Sequence, residues 1–153
     1  MKNKESIKII ATNRGAGRNY FILEVYESGI VLTGSEVKSV REGKVNLKEG
    51  FGRIEEGEAF LHNVHINPYF FAGTPSDPVR KRKLLLHRGE LNRLVGTIVG
   101  KGLAFIPLKM YLKGGKIKLE MGLAKGKKIH DKRETLKKRE SRRDIERAMR
   151  TKR

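Results

Sequence analysis

The chain has 153 residues, no cysteine and no tryptophan, and 35 Lys and Arg against 17 Asp and Glu, for a formal charge of +18. That length predicts one domain, the missing cysteines exclude disulfide and thiolate chemistry, and no apolar run approaches the roughly 18 residues a spanning helix needs. So strong a positive balance points to nucleic acid ahead of an anionic membrane, because the cations of the C-terminal stretch lie on all faces with no Trp or Phe opposite them.

The first ten residues, MKNKESIKII, lack the apolar core of a secretory signal, so a cytoplasmic location is the expectation. Residues 7–12 and 19–26 read as strands, the second with Phe21, Leu23 and Val25 on one face and Tyr20, Ile22, Glu24 and Tyr26 on the other. Between them NRGAGR reads as a flexible basic loop, and Ser28-Gly29 reads as a turn into a third strand, 30–32. Thr33 followed by Glu36 forms a capping-box pattern for a short helix over 34–42, which Gly43 ends. Residues 45–54 and 58–66 predict two strands joined by a Glu56-Gly57 turn.

A long loop, 67–83, with Pro68, Pro75 and Pro78, finishes in the run Arg80-Lys81-Arg82-Lys83. Leu91, Leu94, Val95 and Ile98 predict an amphipathic helix over 88–99, stopped by Gly100 and Gly102. Residues 103–112 and 116–123 then alternate cleanly around Gly114-Gly115, a hairpin signal. Short strands joined mostly by turns cannot build a parallel sheet. The predicted fold is mainly β: a small antiparallel oligonucleotide-binding (OB)-like barrel over 1–123, with short helices inserted.

Residues 124–153 carry seven Lys, seven Arg and five acids, so one fifth of the chain holds +9 of the charge. Helix formers fill 133–150, but the apolar residues Ile129, Leu136, Ile145, Ala148 and Met149 are too poorly phased to dock on a core. The expectation is a basic C-terminal tail that is disordered when free and helical when bound to RNA.

His62 and His65 invite a metal reading, yet residues three apart on a strand point to opposite faces and no third ligand accompanies them, so no metal or other cofactor is expected. The glycine pairs match no phosphate-binding loop and no serine lies in a nucleophile motif. No catalytic residue is assigned. Four consecutive cations at 80–83 repel one another unless an anion sits among them, which favours phosphate contact. Arg14 and Arg18 on the glycine loop, and Lys38, Arg41 and Lys44 on and after the first predicted helix, read equally as phosphate contacts or as plain surface. Tyr20 and Tyr26 fit core or rim packing better than base stacking. In the tail, GKKIHDKR gathers five cations around one acid, with the His130 ring able to stack on a base.

Taken together, ATNR, YFILEVYESGIVLTGSEVKSVREGKVNL, GEAFLHNVHINPY, DPVRKRKLLLHRGEL, PLKMYLKGGKIKLE and LAKGKKIHDKRETLKKRE resemble, in order and over nearly the whole chain, the SmpB family of bacterial tmRNA-binding (SsrA-binding) proteins. The resemblance implies a non-enzymatic barrel that binds the tRNA-like domain of tmRNA. It also implies delivery, with elongation factor Tu and after charging by alanyl-tRNA synthetase, to stalled ribosomes for trans-translation. By the same likeness, Asn13, Arg14, Glu27, Lys38, Arg41, Lys44, Asn46, Arg82 and Lys83 are the expected RNA-binding residues of the barrel, and Lys125 and Gly126 begin the tail. Lys127, Lys128, His130, Asp131, Lys132 and Arg133 are expected in the decoding centre and mRNA channel, in place of codon–anticodon pairing with small-subunit rRNA around them. Gly15-Ala16-Gly17 and Gly50-Phe51 depart from the usual family pattern and receive no role. A structural ribosomal protein threading a basic tail into rRNA is the alternative from another class, and an RNA-modifying enzyme a third.

Overall fold

The computed structural model describes residues 6–69, 77–127 and 142. Among them the order is β1 (Ile7–Thr12), α1 (Ala16–Asn19), β2 (Tyr20–Ile30), α2 (Gly34–Arg41), β3 (Val45–Asn46), β4 (Phe51–Glu55), β5 (Glu58–His62), β6 (His65–Ile66), β7 (Arg82–Leu85), α3 (Arg88–Lys101), β8 (Ala104–Lys113) and β9 (Lys116–Gly126). Seven strands pair antiparallel in the order β1-β8-β4-β5-β7-β2-β9, and β9 also pairs with β8, so the row closes into a barrel. β1 lies on β8 outside the closure, and β3 with β6 makes a separate ribbon. The mainly β, OB-like barrel expected from the strand spacing is present. Closure leaves the central strands without free edges.

Period-2 alternation fills the interior: Leu119, Met121 and Leu123 point inward from β9, with Phe105 and Met110 from β8 and Ala59 and Leu61 from β5. Tyr26 and Phe105 pack edge to face, ring centroids 6.2 Å apart. Leu94 of α3 is wholly buried in the same cluster, with Leu91 and Ile98 beside it, so the amphipathic stripe docks that helix on the barrel. The capping box of α2 is formed as its pattern predicts: Thr33 N–H donates to Glu36 Oε1 at 2.9 Å and Glu36 N–H to Thr33 Oγ1 at 3.3 Å.

Several local expectations change. NRGAGR is not wholly loop, since residues 16–19 close a helical turn, with Ala16 buried against Ile106 and Ala124 on the outside of the barrel. Ser28-Gly29 does not turn: β2 runs straight through, because the Ser28 hydroxyl donates to Leu119 O at 3.1 Å while Gly29 lets Leu85 of β7 pack where a side chain would stand. The strand predicted over 45–54 is broken at Leu47–Gly50, where Asn46 Oδ1 accepts from Lys48 N–H at 2.9 Å and forms a side-chain-closed turn. Gly50 is pressed so closely on the barrel that a Cβ there would stand 2.4 Å from Val64 Cγ2. The strand predicted over 58–66 is likewise divided, by Asn63 in the left-handed region at φ 58°. α3 passes through Gly100 and ends only where Gly102 adopts φ 61°. β9 continues to Gly126, three residues beyond the boundary expected at 123, and Ala124 is fully buried.

Candidate nucleic-acid interface

Position in the barrel decides which of the chain's many cations are available to a polyanion. At one end, α1 and the Leu47–Gly50 turn flank two adjoining clefts of about 500 and 370 Å³. Asn13, Gly15, Arg18 and Lys48 line both; Tyr20, Glu49, Phe51, Gly126 and Lys127 complete the first, Arg14 and Asn46 the second. Asn13 fixes the floor, its N–H donating to Leu108 O at 2.7 Å and its Nδ2 to Pro107 O at 2.9 Å. Lys127, the first residue after β9, is tied to the opposite wall: its N–H donates to Asn19 O and its Nζ to Gly17 O, each at 2.9 Å, with Nζ 4.8 Å from the centre of the Phe21 ring. Among the described residues Arg14, Arg18 and Lys48 have no carboxylate partner, and Glu49 is the one acid on the lining.

The run 80–83 is built in the opposite way. Arg82 on β7 is 1% exposed, with Nε 2.5 Å from Glu36 Oε2 and Nη1 donating to Val64 O at 2.8 Å and Nη2 to Pro78 O at 3.1 Å. Arg80 donates to the other oxygen of the same carboxylate. Burial pushes the Glu36 carboxyl up, but Arg80, the Thr33 N–H and Arg82 together hold it below the usual carboxylate range. Lys81 pairs with Glu55 at 2.8 Å and Lys83 with Glu58 at 3.1 Å. The anions this run needs therefore come from the chain itself. Arg82, expected as an RNA contact, is instead a buried strut, because β7 turns its side chain into the barrel beneath α2.

A family model described as SmpB protein matches residues 10–151. The chain belongs to the SmpB family. Relatives named SsrA-binding protein are 56% identical over 148 residues in Thermosynechococcus vestitus, covering 95% of this chain and 97% of that one, and 53% identical over 148 residues in Bacillus subtilis, covering 96% and 95%. A solved chain described as "tmRNA-SmpB: a journey to the center of the bacterial ribosome" superposes with a TM-score of 0.66 at 48% identity, over 82% of this chain and 93% of that one.

The other residues that the SmpB resemblance picked out are dispersed. Lys38 and Arg41 lie on α2, Lys38 Nζ 5.2 Å from the centre of the Tyr69 ring, and Lys44 follows, paired with Glu42 at 3.1 Å. Lys83 stands across β5, and Lys125 is exposed opposite Phe21. Glu27 sits near the far end of β2, where the Tyr111 hydroxyl donates to it and Lys113 Nζ lies 3.3 Å away. The Tyr111 hydrogen bond, aided by Lys113, holds the Glu27 carboxyl low, while burial and that same carboxylate push the Tyr111 hydroxyl up. Lys128, His130, Asp131, Lys132 and Arg133, and the expected tail helix, lie outside the described residues, as does Pro75.

Two residues of the clefts went unread. Lys48 looked like one polar position inside a strand, although Asn46 and Gly50 around it carried the turn signal. Phe51, set aside as a departure from the family pattern, opens β4 at the rim of the larger cleft. His62 is not a ligand candidate by position: its ring stacks on Phe51 at 5.2 Å and its Nε2 is 3.1 Å from Glu55. Among the described residues no group of three His, Cys, Asp or Glu side chains could hold a metal, and no helix is long and apolar enough to cross a membrane.

Proposed function

We propose that this chain binds tmRNA through the barrel and serves ribosome rescue by trans-translation, acting by binding rather than catalysis in the cytoplasm. The observation that carries the reading is the continuity between Arg14, Arg18 and Lys48, cations left without acid partners among the described residues, and Lys127, which lines the same cleft and starts the basic tail. A phosphate backbone in the cleft would supply the missing negative charge, releasing counterions as it binds. The names of the relatives and the ribosomal setting of the solved neighbour support the same function.

In this reading Asn13, Arg14, Asn46 and Gly126 contact the tRNA-like domain at the cleft, while Lys38, Arg41, Lys44, Glu27, Lys83 and Lys125 extend the contact over the barrel. The tail, with Lys128, His130, Asp131, Lys132 and Arg133, stands in for codon–anticodon pairing in the decoding centre and the mRNA channel. Elongation factor Tu and alanyl-tRNA synthetase act through the bound tmRNA. The test compares the full chain with a chain ended after Lys127. Retained tmRNA affinity within a few-fold, with tagging on stalled ribosomes abolished, is the expected pair of results. Loss of tmRNA binding by the shortened chain would overturn the division of labour, and equal recovery of the full chain with all ribosomes but without tmRNA would mark a structural ribosomal protein instead.

A further inference from the structure

We infer that the larger cleft is a site for one unpaired nucleotide of RNA, its base stacked on the Phe51 ring and its phosphate held between Arg18 and Lys48. This rests on the RNA-binding reading above and adds the class of RNA structure that enters the cleft. Phe51 is a cleft wall and is 37% exposed, although its ring already stacks nearly parallel on His62, 7° between planes. A ring covered on one face and still this exposed presents its remaining surface to the cleft.

The ring is also held in place before anything binds. Phe51 and His62 are directly paired partners across β4 and β5, His62 Nε2 is 3.1 Å from Glu55, and Lys81 anchors the second oxygen of Glu55 at 2.8 Å. A preordered aromatic surface loses little side-chain entropy on stacking, so more of the stacking free energy appears as affinity. Volume agrees: about 500 Å³ lies in the range of clefts that take ligands of nucleotide size. Charge agrees too, with Arg18, Lys48 and Lys127 against Glu49 alone. A base inside a duplex is stacked on its neighbours and offers no face, whereas an unpaired base does.

The test uses the full chain, a fluorescent single-stranded hexaribonucleotide, an RNA duplex of mixed sequence and free AMP, each titrated by anisotropy or competition. Phe51→Leu keeps apolar bulk without a ring and Phe51→Tyr keeps the ring; thermal unfolding of both establishes that they fold. The expected result is a loss of roughly fivefold or more in single-strand affinity for Phe51→Leu, near-native affinity for Phe51→Tyr, and little change on the duplex. Lys48→Ala should lower the salt slope for the hexamer by about 0.7. AMP competing only weakly fits a site that needs the flanking backbone.

Equal single-strand affinity of the Leu variant and the native chain overturns the inference, as does an equal loss on single strand and duplex. Repeating the Leu comparison with tmRNA and with small ribosomal subunits separates the two sources of the nucleotide, and no loss with either also sinks it. Failure of the native chain to bind tmRNA at all would instead remove the function proposed above.

Discussion

Arg82 and Glu36 stand 46 positions apart in the chain and meet in the barrel interior, Nε 2.5 Å from Oε2, with side chains 1% and 3% exposed. Glu36 closes the capping box of α2 with the same carboxylate, so one acid joins the helix start to β7 and to Arg80. Removing one partner of a buried pair leaves the other charged and desolvated. Arg82→Ala is therefore expected to cost about 3–5 kcal/mol, whereas Lys83→Ala, half exposed in its pair, should cost less than about 1 kcal/mol. Urea unfolding with unchanged m values checks both; native stability together with weakened RNA binding in Arg82→Ala would restore that residue to the RNA surface.

The same carboxylate makes stability depend on acid. With its folded-state pKa held below the unfolded value of 4.5, Glu36 contributes stability that is complete above about pH 4.5 and drains away as pH falls through the lower folded value. Glu27, also held low, acts in the same direction from the other end of β2. The expected outcome is a gap between native and Glu36→Gln chains that is wide at pH 7 and narrows toward pH 3. A gap independent of pH, measured by denaturant midpoints, would show that the ionised form is not what stabilises.

Docking of α3 depends on few side chains. Leu94→Ala should cost about 2–5 kcal/mol because it leaves a cavity between helix and barrel, while Val99→Ala, at a position 78% exposed, should fall within about 0.5 kcal/mol of the native chain. Thermal melts of the two variants side by side are the measurement.

Where the tail leaves the barrel can be probed by two chain ends. Stopping after Lys125 removes Gly126 together with both hydrogen bonds of Lys127 to α1, and with them part of the cleft wall. A chain ended there should bind tmRNA more weakly than one ended after Lys127, and its salt dependence should be shallower by about one unit of log–log slope for every phosphate it no longer neutralises. Identical slopes would place Lys127 away from the bound RNA.

Local chemistry made much of this molecule legible from residues alone. The capping box at Thr33 and Glu36, the Gly114-Gly115 hairpin, the stripe of α3 and the inward alternation of β9 all depend on neighbours within a few positions, and each appears where its pattern lies. Motifs spread along the chain were enough to indicate the SmpB family. Which cations face outward was not legible, because it depends on partners brought together only when the barrel closes. Four consecutive basic residues at 80–83 look like a phosphate site until Glu36, Glu55 and Glu58 arrive from α2, β4 and β5 to neutralise them. Lys48, alone among polar neighbours in sequence, instead lines a cleft with Arg18 and Lys127 because the turn after Asn46 swings it beside α1. Side-chain period sets which residues can form a strand or helix, but the register of the closed barrel sets which charges meet.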